Sequence, residues 1–331
     1  MSIQITIVGL GQIGTSMGLA LKGKTETLKR VGHDLDIKIA RQAEKLGAVD
    51  KVAINLPNSV REAELVILSL PLDQMQETLR IIAPDLKEGA VVMDTGPVKE
   101  IVATWAGETL PAGRYYVGLT PVIKADYLHD IDSGIEAARA DLFQGGLIAI
   151  VAPSRADSSA IKLAADLTRL LGATPLFADP MEVDGLMAAT HLLPQLMAAA
   201  LLNATVDQPG WREARKMAGR AYAEATAPMT VTSAAQALSA LALLNRDNTL
   251  RVVDGAIAAL YAMRKDIDQK DEISLNERLE RARSGRLMWW EGRQSPVGPL
   301  DEIPAIPLPE NPGVMGRLFG MGRKPKTGNE K

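Results

Sequence analysis

The stretch IQITIVGLGQIG, residues 3–14, decides the fold. Ile3–Val8 is a short apolar run closed by glycine, which reads as a buried strand. Gly9, Gly11 and Gly14 then form G-x-G-x-x-G, and a helical pattern opens over Thr15–Lys22. A strand before and a helix after is the setting that gives this spacing a physical meaning. The first glycine makes the tight turn, the second lets backbone approach a pyrophosphate, and the third lets helix pack close on strand. The helix-start N–H groups, those of Gln12 and Ile13 among them, then face the phosphate charge.

Working outward, strand two (Arg30–His33) ends in Asp34, twenty residues past Gly14. A carboxylate there accepts hydrogen bonds from the adenosine ribose and repels a 2′-phosphate, so NAD is favoured over NADP. Lys38 and Arg41 lie close by and leave NADP possible. The alternative is a tight turn with no ligand and a solvated Asp34. Further strands are expected at Glu64–Leu70, Ala90–Met93, Tyr115–Val117, Leu147–Val151 and Thr174–Ala178, with helices at Ile37–Leu46, Asp73–Ala83, Val98–Ala106 and Ser158–Leu171. This alternation implies a doubly wound, mostly parallel sheet with helices on both faces, an α/β Rossmann domain. The nicotinamide crevice should lie at the strand C-termini, where Ser69-Leu70-Pro71 and Asp94 are candidates. For Asp94 a helix-cap or turn role is equally open.

After Asp179-Pro180 the pattern changes. Met181–Ala204, Ala234–Leu244 and Thr249–Lys265 are helix formers rich in alanine, leucine and methionine, and no strand is convincing up to Arg293. The expected division is a dinucleotide-binding domain over 1–179, a helical substrate and dimerisation domain over 180–293, and a Pro-rich tail over 294–331. Seven of the 36 residues from Pro296 are proline, which is why the tail reads as extended; its segment 316–326 is basic and slightly apolar.

Composition bounds the function. A net charge of −3 argues against nucleic acid or an anionic membrane as the main partner. Without cysteine, disulfides and thiolate chemistry are excluded, and three scattered histidines make a metal site unexpected. The N-terminus shows no targeting pattern, and no apolar run is expected to reach the ~20 residues of a membrane span, so the expected location is cytoplasmic.

Several blocks together resemble the prephenate/arogenate dehydrogenase family of tyrosine biosynthesis: GLGQIG with Asp34, VVMDTGPVKEIV (91–102), SGIEAARADLFQGG (133–146), DGLMAATHLLPQLMAAAL (184–201) and LLNRDNTL (243–250). The resemblance covers residues 3–265. It implies a Rossmann domain, a helical domain that makes a homodimer, and oxidative decarboxylation with hydride transfer to NAD. Position by position, Pro97 stands where the family has a serine that binds the substrate hydroxyl. Thr120, in VGLTPV, stands where it has the histidine that accepts the hydroxyl proton. Ser-His-Leu-Pro-His becomes Thr190-His191-Leu192-Leu193-Pro194-Gln195, and the carboxylate-gripping arginine is absent near Arg220. A threonine can hydrogen-bond but cannot take a proton near pH 7. Thr120 and His191 are therefore the catalytic candidates. His129 is a surface histidine or a replacement base, and Lys99 a solvated lysine or an anion contact. Two rival readings follow: a dehydrogenase of a different hydroxy acid, and a non-catalytic dinucleotide-binding regulator.

Overall fold

In a computed structural model of the 331-residue chain, residues 3–24, 28–130, 132–153, 156–231 and 235–294 are described. The expected tail lies almost wholly outside them. Eight strands form one sheet: β1 (Ile3–Val8), β2 (Leu28–His33), β3 (Lys51–Val52), β4 (Ala63–Leu68), β5 (Val91–Asp94), β6 (Tyr115–Pro121), β7 (Leu147–Val151) and β8 (Thr174–Phe177). Their order is β3-β2-β1-β4-β5-β6-β7-β8. All neighbours are parallel except β6 and β7. The order reverses between β1 and β4, which puts the crevice at the C-terminal ends of those two strands.

Helices α1 (Gln12–Ala20), α2 (Ile37–Leu46), α3 (Leu56–Val60), α4 (Leu72–Ile82), α5 (Glu100–Thr109) and α6 (Ser158–Leu170) cover the sheet. Two apolar cores result, one on each face. One includes Ile5, Ile7, Met17, Leu119 and Phe143, the other Val8, Leu68, Met75, Val92 and Trp105. Strands buried on both faces carry near-continuous Val/Ile/Leu runs, which is why they were legible in the sequence.

One expectation changes. The strand read as ending at Val117 continues to Pro121, because antiparallel pairing with β7 sets Thr120 opposite Ala149 and Pro121 opposite Ile148. Gly118 and Pro121 are turn-forming residue types, but the ladder carries through both. In the helical half, the charged run 265–272 is split by a turn at Lys270, whose φ is +53°.

The remainder is helical: α7 (Pro180–Met187), a π turn (Ala188–Leu192), α8 (Leu193–Thr205), α9 (Trp211–Met217), α10 (Arg220–Thr226), α11 (Pro228–Val231), α12 (Ala235–Leu244), α13 (Arg246–Asp268) and α14 (Glu272–Gln294). Pro180–Thr205 forms one stretch of 26 residues that is apolar and long enough to cross a membrane by length and composition alone, contrary to the expectation of no such run. Within the chain, 22% of its most apolar window is buried. Its first turns carry buried Asp184, and Leu192 joins the core beneath α4 and α5.

Candidate active site

The glycine loop is built as its spacing requires. Gly9 has φ +89°, and a Cβ there would meet the Ser69 carbonyl at 2.2 Å. A Cβ on Gly14 would meet the Gly9 carbonyl at 2.0 Å. Gly11 differs: nothing lies within 4 Å of the position its Cβ would take, so its open side is room left for a ligand. Asp34 is half-buried at the end of β2. Its Oδ2 accepts the Leu10 N–H at 2.8 Å and its Oδ1 the Asp36 N–H at 2.9 Å, so the carboxylate also braces the loop. The first turn of α1 holds no acidic side chain to compete with an anion. These residues fit a dinucleotide: an uncovered glycine backbone, a helix N-terminus and a ribose-height carboxylate.

The segment 133–146 supports this loop from outside. Ala137 is buried, its carbonyl accepts from Gln12 Nε2 at 3.3 Å, and the Arg139 N–H donates to Ser16 Oγ at 2.9 Å. The motif therefore clamps α1.

A cleft of about 510 Å3 opens from the loop towards the helical domain. Gly11, Gln12, Ile13, Ser69, Pro71 and Thr95 form one wall, and His191, Gln195, Pro228 and Leu241 the other. His191 owes its position to the π turn. Pro194 has no N–H to close the usual bond one turn back, so the ladder shifts by one residue. The Leu193 N–H instead donates to the Ala188 carbonyl, five residues back. Gln195 Nε2 then donates to the His191 carbonyl at 2.8 Å. The His191 ring touches solvent, yet the concave walls around it desolvate it and hold its pKa below the ordinary histidine value. A neutral imidazole at pH 7 follows.

Asp94 and Lys99 do not line the cleft. Lys99 is fully buried, so the expected solvated lysine is corrected. Its Nζ lies 2.6 Å from Asp94 Oδ1, and the Asp94 carboxylate also accepts the Gly96 N–H at 2.8 Å and the Tyr116 hydroxyl at 2.6 Å. Burial pulls the Lys99 ammonium below its ordinary value, against the pull of Asp94. Burial first, and Asp94 second, push the Tyr116 phenol well up. Asp94 thus braces the Thr95-Gly96-Pro97 loop from beneath. Sequence reading missed this cluster; its signal was Asp94 closing an apolar strand, Tyr116 near the start of the next strand and Lys99 just before a helix.

Thr120 is buried, and its Oγ1 has no hydrogen-bond partner among the described residues. It shares the β6 face of Tyr116 and Gly118, one step beyond Asp94, but is not among the cleft-lining residues. His129 lies elsewhere, 5.0 Å ring to ring from Trp290, and Arg220 is exposed and paired with Glu224.

Residues 17–176 match the family model described as prephenate dehydrogenase, nucleotide-binding domain, and residues 179–281 match its dimerisation domain. The chain belongs to the prephenate dehydrogenase family. It is an oxidoreductase of that family, with a nucleotide-binding half and a dimerisation half. A prephenate dehydrogenase of Bacillus subtilis is 26% identical over 322 residues, 95% of this chain and 83% of that protein. A cyclohexadienyl dehydrogenase of Zymomonas mobilis is 26% identical, covering 86% and 94%. The structure of Aquifex aeolicus prephenate dehydrogenase in complex with hydroxyphenyl propionate and NAD+ superposes with a TM-score of 0.76, at 21% identity over 87% of this chain and 98% of that one. At that identity the likeness establishes the fold.

Proposed function

We propose that this chain is an NAD-dependent dehydrogenase that oxidatively decarboxylates prephenate or arogenate, a step of tyrosine biosynthesis. The observation that carries the reading is the open Gly11 cradle facing His191 across one cleft. Gly9, Gly11, Gln12, Ile13 and Gly14 hold the pyrophosphate, Asp34 the adenosine ribose, and Ser69 and Pro71 flank the nicotinamide end. The cofactor, when bound, supplies the hydride acceptor. The chain's own residues orient the ring, exclude water and handle the hydroxyl proton. The substrate loses a hydride from its carbinol carbon and carbon dioxide from the ring, and aromatisation drives the step. His191, neutral at pH 7, is the acceptor for the ring hydroxyl's proton. Thr120 Oγ1, buried without a partner, contributes a hydrogen bond and no proton transfer.

The reading includes a cytoplasmic homodimer, with the domains dividing near residue 179. Met181, Leu186, Met197, Ile257, Leu260 and Tyr261 all expose large apolar side chains on α7, α8 and α13. Such a surface needs a partner, and a second copy is the one the dimerisation domain supplies. Light scattering should then give twice the 35.4 kDa chain mass; a monomer at micromolar concentration would refute the dimer.

The test of activity is steady-state NADH production with prephenate and with arogenate, run beside Thr120→His. Turnover of either carries the reading. Cofactor binding without turnover of either overturns it. One observation favours a second reading: none of the described cleft-lining residues is an arginine or lysine, and Pro97 replaces the family serine. A hydroxy acid with a single carboxylate suits such walls better than a dicarboxylate. Faster turnover of a monocarboxylic hydroxy acid than of prephenate would select it.

A further inference from the structure

The two cleft walls belong to different domains, so their separation must be set by something. Apolar packing supplies part of it: Leu192 and Leu241 enter the core that holds Leu68, Leu72 and Met75. Such packing is non-directional and tolerates sliding. Only one fully buried polar connection crosses beside the cleft among the described residues, and it is directional.

Asp184, 2% exposed in the second turn of α7, spans the boundary. Its Oδ1 accepts the Lys99 N–H at 2.6 Å and its Oδ2 the Glu100 N–H at 3.1 Å, so it occupies two of the open donors at the start of α5. Its own carbonyl accepts Asn245 Nδ2 at 2.9 Å, and Asn245 Oδ1 accepts Asn248 Nδ2 at 2.9 Å. On the other side, the Lys99 side chain is held by Asp94. The cleft loop 95–97 is therefore pinned at one end by the Asp94 side chain and at the other by a carboxylate from the opposite domain. Asp184 lies seven residues before His191 on the same helical stretch.

We propose that Asp184 is a positioning residue for the reaction: with Asn245 it fixes the helical wall, and so His191, against the 95–97 loop. The inference rests on the dehydrogenase reading above. It explains why a carboxylate is kept in a buried place that raises its pKa, where an apolar residue would pack at less desolvation cost. It also gives the LNRDN block a role without ligand contact.

The experiment compares the native protein with Asp184→Asn and Asn245→Ala by NADH titration, hydrogen exchange of segments 95–104 and 184–196, and kinetics. Asp184→Asn offers a single acceptor oxygen in place of two. It should raise the exchange rate of both segments about tenfold, leave NADH affinity within about twofold, and raise the substrate KM about tenfold. Asn245→Ala keeps the carboxylate and should do the same more weakly, so it decides the matter if Asp184→Asn does not fold. A purely structural role would lower the NADH-binding stoichiometry and kcat together and leave KM unmoved. That result, or unchanged exchange over 184–196, overturns the proposal. Absence of turnover in the native protein would instead sink the dehydrogenase reading, and the exchange data would still judge the latch.

Discussion

The two walls of the cleft are made by different means. The cofactor wall is mostly backbone: a glycine turn, a helix N-terminus and one carboxylate, all within 32 residues of sequence from Ile3 to Asp34. The substrate wall is mostly side chain. It is gathered from the π turn, Pro228 and Leu241, and held by a bond network reaching back to β5. A wall built from backbone tolerates few substitutions. A wall built from side chains can change its chemistry while keeping its shape.

The largest expected effect tests the backbone wall. Gly14→Ala drives a Cβ into the Gly9 carbonyl at 2.0 Å, and overpacking of this kind costs roughly 1–3 kcal/mol or more. NADH binding should fall below detection in a fluorescence titration, with a lowered Tm. Gly11→Ala, which meets nothing, should lower NADH affinity while leaving Tm unmoved. If both variants behave alike, the distinction between turn and cradle is wrong.

Next comes the side-chain wall. His191→Asn should reduce kcat/KM by ~10²–10⁴-fold, the usual worth of a positioned acid or base. Desolvation lowers the His191 pKa, so its neutral form persists at neutral pH and is lost only as pH falls below the ordinary histidine value. The native kcat/KM should therefore hold at pH 7 and fall on the acid side, and the variant should lose that limb. A limb that survives in the variant would assign it to another group.

A smaller effect is expected from Asp34→Ala. Hydrogen bonds to a charged group contribute about 1.5–3 kcal/mol, so the NAD Kd should rise ~10–100-fold and the preference over NADP should narrow. An unchanged preference would remove the ribose role from Asp34 and leave it the Leu10 and Asp36 N–H groups. The smallest effect is on stability, from Thr120→Val. The swap removes a buried unpartnered hydroxyl and should raise stability by about 1 kcal/mol, seen as a higher Tm. Turnover should fall about tenfold; unaltered turnover would remove Thr120 from the site.

The same contrast explains what the sequence disclosed. The glycine spacing, Asp34 and the alternating strands are local patterns with local causes, so the Rossmann architecture and the helical half were readable. Lys99 was misread because a lysine after proline at a helix start is usually solvated. Its partners, Asp94 and Tyr116, meet only through the parallel pairing of β5 with β6. Asp184 looked like an ordinary residue of an apolar helix, since the amides it caps lie 85 and 84 residues away. Thr120 was placed at a strand-end corner because nothing local announces the β7 ladder that carries the strand past it.

The π turn at Ala188–Leu192 has a bearing on how this enzyme could be redesigned. A residue on an α-helix is separated from its neighbour by roughly 100° around the axis, so gaining or losing one residue re-aims everything before it. Shortening the stretch by one leucine should re-aim the imidazole relative to the cleft. Substrate scope on this wall is therefore open to change by deletion and insertion, a route that libraries of point substitutions never sample.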